Sequence, residues 1–160
     1  MPDWIAHILV VWSICTILGF KFKQFTPCNT AIAMLGSVLP DIYKIITLLN
    51  LSGIKLGNLL SPLHLPIGSF IFAIILSIFF KERKNAFIFL SFGIFTHYVL
   101  DLLLETNNNG MYLFFPFNWS QWQLGIISNT DYTITIIAII CAVLVYFTSK
   151  KIKYEKKQLR

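Results

Sequence analysis

Residues 86–104 read AFIFLSFGIFTHYVLDLLL. The stretch is long and apolar enough to cross the roughly 30 Å hydrocarbon core of a membrane, yet it contains His97 and Asp101. A charged side chain at the centre of a membrane helix costs roughly 2.5–3.5 kcal/mol. On a helix these two residues, four apart, project from one face and can bind the same ion. The stretch therefore predicts a membrane helix that carries two metal ligands.

The whole chain has the composition of an integral membrane protein. Of its 160 residues, 56% are hydrophobic and 12% are charged, and the mean hydropathy is +0.71, whereas soluble domains carry about 25% charged residues. We predict an all-α fold, a compact bundle of about five transmembrane helices. Gly36 and Pro40 predict a kink or break in the second helix. The five predicted spans lie near Trp4–Phe20, Thr30–Leu51, Leu63–Phe80, Ala86–Leu104 and Tyr132–Phe147.

Basic residues predict the orientation of this bundle. Eleven of the 13 lysines and arginines follow the first, third or fifth span, and the remaining two are Lys44 and Lys55. Because basic loops stay in the cytoplasm, we expect a multi-pass protein of the plasma membrane with its N-terminus outside. Residues 1–148 then form the membrane domain, and residues 149–160 form a basic cytoplasmic tail. The net charge of +6 indicates contact with membrane lipid and no binding of nucleic acid.

The predicted orientation also places the histidines and several acidic residues, which were not used to derive it, on one side of the membrane. All three histidines fall in the outer half of the bundle, and Asp3 and His7 repeat the spacing of His97 and Asp101. Histidine and carboxylate donors without a thiolate suit zinc, manganese or iron. Their number suffices for one or two ions, most simply zinc. The candidate metal ligands are Asp3, His7, Asp41, His64, His97 and Asp101, with Glu105 and Asp131 nearby.

Each of these residues also has an interpretation without a metal. His97 and Asp101 can pin two helices through a hydrogen bond, and both Asp41 and Asp3 can cap a helix. His64 can be hydrogen-bonded at the membrane interface. The aromatic segment between residues 106 and 130 is either a lid over the site or an interfacial anchor.

The order of these motifs resembles a known family. Met1-Pro-Asp-x-x-x-His7, Gly36-x-x-Leu-Pro-Asp41, a histidine that opens the third helix, and Thr96-His-x-x-x-Asp101 look like the LexA-regulated, membrane-bound metal-dependent hydrolase family. The resemblance extends from Met1 to about Trp119 and implies a helical membrane fold with a metal-dependent hydrolytic site. One departure is the segment around His64, which reads Pro-Leu-His-Leu-Pro, where the family pattern implies an arginine- or glycine-bearing histidine motif.

The order of the ligands is also similar to that of zinc phospholipase C enzymes. That resemblance implies one metal held by Asp41, His64, His97 and Asp101, and a second held by His7 and a bridging Asp101. Glu105 and Asp131 are then the candidates for a supporting or general-base role beside these ligands. The later histidines of those enzymes are missing, because this chain has no histidine after His97, so a third metal is not expected.

We therefore expect a membrane-bound metal-dependent hydrolase that cleaves a phosphoester of a lipid or lipid-linked substrate at the extracytoplasmic interface. Asp41, Asp101 and Glu105 are the candidate catalytic residues. One alternative is a metal or proton transporter, but the inner halves of the predicted spans contain no Asp, Glu, His, Lys or Arg. The other is a non-catalytic membrane protein whose polar residues lock helices together.

Overall fold

The chain is predominantly helical. The computed structural model describes residues 4–42, 44, 61–105, 110–128 and 132–158. In this part of the chain there are five α-helices and two short 3-10 turns. The helices are α1 (Trp4–Leu18), α2 (Pro27–Val38), α3 (Pro66–Ser77), α4 (Arg83–Leu102) and α5 (Thr133–Gln158), and the 3-10 turns are Leu39–Asp41 and Ser61–His64. The helical class predicted from composition is confirmed.

Proline positions determine where α2 begins and ends. Pro27 occupies the first turn, where no helical partner for an N–H is needed, and the Thr26 side chain accepts a hydrogen bond from Asn29 N at 3.2 Å. At the other end, Pro40 has no N–H to donate to the Gly36 carbonyl. The Leu39 N–H donates to that carbonyl instead, which tightens the chain into the 3-10 turn. The predicted break in the second helix is therefore confirmed.

Two small residues allow α2 and α4 to pack closely. A Cβ atom built on Gly93 would lie 2.0 Å from the Ala33 carbonyl oxygen, and one built on Gly36 would lie 2.2 Å from the Leu90 carbonyl oxygen. Ordinary contacts of this kind are at least 3.4 Å, so no side chain fits at either position. This helix pair forms most of the main core, together with Val11 and other residues of α1.

The remaining helices surround this pair. α5 packs along α1, and a second core joins Ala6, Leu100 and Leu104 to Ile134 and Ala138 of α5. The chain leaves α4 through the two-residue strand β1 (Leu104–Glu105), which pairs in parallel with β2 (Ile127–Ser128). The returning segment covers the end of α4, since Leu124 N donates to the Leu102 carbonyl at 2.7 Å.

The outer surfaces of the helices are apolar. Within the described residues, α4 and the Thr133–Ile152 part of α5 are long and apolar enough to cross a membrane, and α1 and α3 are shorter apolar helices. The exposed face of α5 carries large hydrophobic side chains, which are typical of contact with lipid. They include Ile136, Ile137, Ile140, Leu144 and Phe147.

Candidate metal centre

Four of the predicted ligands come together at one end of the bundle. Asp41 ends the 3-10 turn after α2, His64 ends the turn before α3, and His97 and Asp101 lie near the end of α4. One ligand atom from each residue lies within 4.8 Å of the other three. Asp41, His97 and Asp101 are buried and His64 is half-buried. Three segments of the chain, separated by 23 and 33 residues, are thus brought into one cluster of the size of a coordination sphere.

The spacing of these atoms suits an ion better than direct hydrogen bonding. A tetrahedral sphere with bonds of about 2.1 Å places its ligand atoms about 3.4 Å apart. His97 Nε2 is 3.2 Å from Asp101 Oδ2 and 3.7 Å from Asp41 Oδ1. His64 faces the same carboxylates, with Nδ1 3.3 Å from Asp41 Oδ1 and Nε2 3.7 Å from Asp101 Oδ2. Most of these separations exceed the 2.7–3.2 Å range of an N–H···O bond.

Backbone contacts orient His97 toward this cluster. Its Nδ1 lies 2.8 Å from the Ser37 carbonyl oxygen, which can only accept a hydrogen bond. Nδ1 must therefore carry the proton, and the neutral ring presents the lone pair of Nε2 to the cluster. His97 Nε2 is buried without a hydrogen bond in the described part of the chain. This is how a histidine ligand is usually prepared for a metal.

The glycine contacts between α2 and α4 make this arrangement possible. Gly36 immediately precedes Ser37, and Gly93 lies one turn before His97 on α4. Only the close approach of the two helices brings the Ser37 carbonyl within reach of the imidazole. Neither the glycines nor Ser37 belonged to the predicted site, although Gly36 was noted as a helix breaker.

A second set of contacts holds His64. Tyr98 Oη donates to the His64 carbonyl at 3.1 Å and lies 2.6 Å from Ser69 Oγ. Ser69 Oγ in turn donates to the Leu63 carbonyl. These bonds connect α4, α3 and the turn Ser61–His64, so they fix the backbone that carries the imidazole.

His7 lies beside the four-residue cluster. Its ring is buried and stacks on His97 with centroids 4.1 Å apart. His7 Nε2 is 3.4 Å from Asp101 Oδ1, whereas Asp101 Oδ2 faces His97 and His64. The two oxygens of Asp101 therefore face different histidines. A carboxylate in this position can bridge two ions.

Lys44 is a feature of the site that the sequence analysis missed. Its Nζ forms an ion pair with Asp41 Oδ1, the oxygen that also faces His64 and His97. The spacing of Asp41 and Lys44, one helical turn apart, was the available signal. We had counted Lys44 only as a basic residue on the outer side.

Of the three further candidate residues, Glu105 is described by the structure and is not part of the cluster. Glu105 was expected one helical turn beyond Asp101, but α4 ends at Leu102, and Glu105 lies in β1 with its side chain exposed. The prediction of a continuous helix through residue 104 was therefore wrong. The cause is the returning segment, which hydrogen-bonds to the Leu102 and Leu103 carbonyls. Asp3 and Asp131 lie outside the described residues.

The described part of the chain also has an exposed aromatic surface and an apolar groove. Phe117 and Trp119 are 93% and 70% exposed, on the segment held by the Met111–Trp122 bridge. Between α1 and α5 runs a groove of about 500 Å³ that is lined almost entirely by apolar atoms, including those of Leu100 and Leu103 on α4.

Comparison with known families agrees with this membrane architecture. The model of the YdjM inner membrane protein family matches residues 3–157, nearly the whole chain. The chain belongs to the YdjM family. This membership fits the predicted resemblance to a LexA-regulated family of membrane proteins and indicates a location in the plasma membrane. Comparisons with curated proteins and with solved structures found no match.

The family description names a membrane and no reaction. Membership in the YdjM family therefore accounts for the apolar helices, and the cluster of Asp41, His64, His97 and Asp101 could hold a metal ion. The hydrolytic activity, the identity of the metal and the likeness to zinc phospholipase C remain predictions.

Proposed function

We propose that the protein is a membrane-bound metal-dependent hydrolase that cleaves a phosphoester of a lipid or lipid-linked substrate. One observation carries the proposal: two buried carboxylates and two imidazoles present their ligand atoms at the mutual spacing of a coordination sphere. Two buried carboxylates this close repel each other, and the ammonium of Lys44 balances only one of the two negative charges. A divalent cation among them removes that cost.

The side chains have distinct tasks in this proposal. His97, held by the Ser37 carbonyl, and His64, held through Tyr98, provide neutral imidazole donors. Asp41 and Asp101 supply the negative charge, and Asp101 extends toward His7 for a second ion. Zinc suits this donor set, as do manganese and iron. When bound, the cation supplies Lewis acidity, lowering the pKa of water and polarising the phosphoryl oxygen.

The distribution of charge supports a site at the extracytoplasmic interface. Lys21 follows α1, Arg83 begins α4 and Lys150 lies late in α5. At 1.5 Å per residue, each is roughly 20 Å along its helix from the end that carries the site. Because basic residues mark the cytoplasmic side, we infer that the N-terminus and the cluster face outward. We retain about five spans as part of the proposal.

Two features favour a lipid as the substrate. The groove between α1 and α5 is lined almost wholly by apolar atoms and includes Leu100 and Leu103 of α4, so it can accept the acyl or isoprenoid chain of a lipid. Each methylene buried contributes about 0.8 kcal/mol. Exposed Phe117 and Trp119 suit the level of the head groups, where aromatic side chains are enriched.

A helix-locking role is the second candidate, and specific contacts favour it. The His7–His97 stack, the His97–Ser37 bond and the His7–Asp101 pair connect α1, α2 and α4. In that case the polar residues would stabilise the bundle and bind no metal. A transporter is less well supported, because residues 8–20, 66–80, 86–96 and 133–149 contain no Asp, Glu, His, Lys or Arg.

The deciding experiment measures metal and hydrolysis together. The protein, purified in detergent without added chelator, is analysed for its elements and assayed on a phospholipid and on an uncharged carboxyl ester of matched chain length. We expect one or two zinc-like ions per chain and cleavage of the phosphoester that a chelator abolishes and added metal restores. A metal-free, inactive protein whose stability does not change on adding zinc would exclude the proposal and favour helix locking.

A further inference from the structure

Lys44 places a positive charge beside the four candidate ligands, and metal binding by these ligands does not explain that charge. Two carboxylates would be balanced by one divalent cation, so a metal site of this composition needs no additional positive charge. Nevertheless, Lys44 contacts Asp41 Oδ1 directly. The ammonium group thus occupies space beside the oxygen that would bind the ion.

The exposure of the side chains indicates where a ligand approaches. The side chains of His7 and His97 are fully buried, and that of Asp41 is 1% exposed. Lys44 and His64 are 18% and 26% exposed, respectively. Among the described residues, the cluster is most exposed on the side of Lys44 and His64, so a substrate that enters from this side meets these two residues first.

Electrostatics then restrict the chemistry of that substrate. A divalent cation beside Asp41 repels the ammonium of Lys44, whose flexible four-carbon stem lets it turn toward the opening. With one cation bound and the histidines neutral, the positive charges of the ion and Lys44 exceed the two carboxylates by one. A second ion increases that excess. Such a site attracts an anion and discriminates against a neutral ester.

We infer that Lys44 is the anion-binding residue of the site, and that it holds a non-bridging phosphoryl oxygen of a phosphoester beside the metal cluster. The inference rests on the proposed hydrolase function and makes it more specific. It assigns Lys44 to substrate recognition, not to metal binding, and it selects phosphoesters over carboxyl esters. The phosphoryl group belongs either to a lipid head group or to a water-soluble phosphate.

The test compares metal affinity with phosphate affinity in the zinc-loaded, full-length protein. Lys44→Met removes the charge and keeps most of the apolar stem, Lys44→Gln is a second neutral variant, and Lys44→Arg preserves the charge. Lys21→Met, at an exposed site near the end of α1, controls for the loss of one positive charge. Calorimetry measures binding of zinc, of inorganic phosphate, and of phosphatidic acid in uncharged micelles.

We expect the neutral Lys44 variants to bind zinc at least as tightly as wild type, because Asp41 loses a competing cation. Phosphate and phosphatidic acid should bind about tenfold more weakly or worse, the effect of losing one charged hydrogen bond. Lys44→Arg should restore most of this affinity, and Lys21→Met should leave both unchanged. Weakening confined to phosphatidic acid would identify a lipid head group as the ligand, and weakening confined to phosphate would identify a soluble one.

Two other outcomes contradict the inference in distinguishable ways. If the neutral variants bind zinc and retain wild-type affinity for both phosphate probes, Lys44 is only a counter-ion of Asp41, and the hydrolase proposal is unaffected. If wild-type protein binds no metal, the proposed function fails and the inference fails with it.

Discussion

Asp101→Asn is the most informative single substitution in the cluster. Asp101 Oδ2 lies 3.2 Å from His97 Nε2, and Oδ1 lies 3.4 Å from His7 Nε2. The amide keeps the size and shape of the side chain but removes its negative charge. The packing of α4 should therefore survive, while the capacity to bind and bridge cations is lost.

Metal-free and metal-loaded proteins should respond in opposite directions. Two unit charges at most 4.8 Å apart repel each other by at least about 3.5 kcal/mol at an effective dielectric constant near 20, a repulsion that the ammonium of Lys44 beside Asp41 partly offsets. Removing one of them should leave the metal-free protein equally stable or more stable. Loss of a residue that only hydrogen-bonds to a metal ligand lowers metal affinity by about 10–100-fold. Loss of a charged ligand itself should therefore lower the affinity by about 100-fold or more. Zinc at about 1,000 times the wild-type Kd stabilises wild type by about 4.1 kcal/mol, and a variant that binds 100-fold more weakly by only about 1.4 kcal/mol.

The assay combines elemental analysis, thermal unfolding with zinc or chelator, and hydrolysis of a phospholipid. Glu105→Gln is the matched control for metal content, because it removes one carboxylate charge at an exposed position outside the cluster. We expect the control to retain all its metal. Asp101→Asn should lose most of its metal, its zinc-dependent rise in Tm and its hydrolytic activity, the last by orders of magnitude.

Retention of the full metal complement by Asp101→Asn would refute both the ligand role and the bridging role of this residue. If wild type itself contains no metal and the substitution changes stability only modestly, the histidines and carboxylates lock helices. These two outcomes can be distinguished because metal stoichiometry and thermal unfolding are measured on the same samples of wild type and variant.

Three further predictions concern the surroundings of the cluster. Gly93→Ala should force α2 and α4 apart by more than about 1 Å and break the hydrogen bond between His97 and the Ser37 carbonyl. We expect the free energy of unfolding to fall by about 1–3 kcal/mol and the zinc affinity to fall by about 10–100-fold. A variant with the Tm and the zinc Kd of wild type would contradict this. His7→Ala should reduce a two-ion stoichiometry to one by elemental analysis, and an unchanged content would exclude His7 as a ligand. A reporter fused after Arg160 should be cytoplasmic, whereas a cysteine at Asn108 should react with an impermeant reagent in intact cells; labelling only after permeabilisation would reverse the topology.

The cluster of four candidate ligands was largely predictable because ionisable side chains are energetically costly in an apolar membrane chain. His97 and Asp101 were paired by helical spacing, and the break at Pro40 located Asp41 at the end of a helix. His64, far away in sequence, was included because the charge pattern put it on the same side as the others and because the order of the motifs resembles that of known families. The structure brings all four together, with His7 beside them.

The contacts that orient the ligands could not be predicted in the same way. The Ser37 carbonyl is a backbone group that every residue has, so no residue type indicates its role. Tyr98 looks like one more aromatic residue of a membrane helix until the turn of His64 is placed beside it. Glu105 was misplaced because strand pairing over a two-residue stretch depends on a partner more than 20 residues later.

The glycine contact between α2 and α4 also has a kinetic consequence. If one helix slid along the other, a side chain would clash with the backbone at Gly36 or Gly93. The two helices therefore cannot shift gradually relative to each other. That wall of the site cannot open by small steps to admit or release an ion. We therefore expect a bound ion to exchange past the turn that carries His64, and its lifetime to depend on the bond from Tyr98 to that turn. A Tyr98→Phe protein is thus expected to release zinc to a chelator faster than wild type.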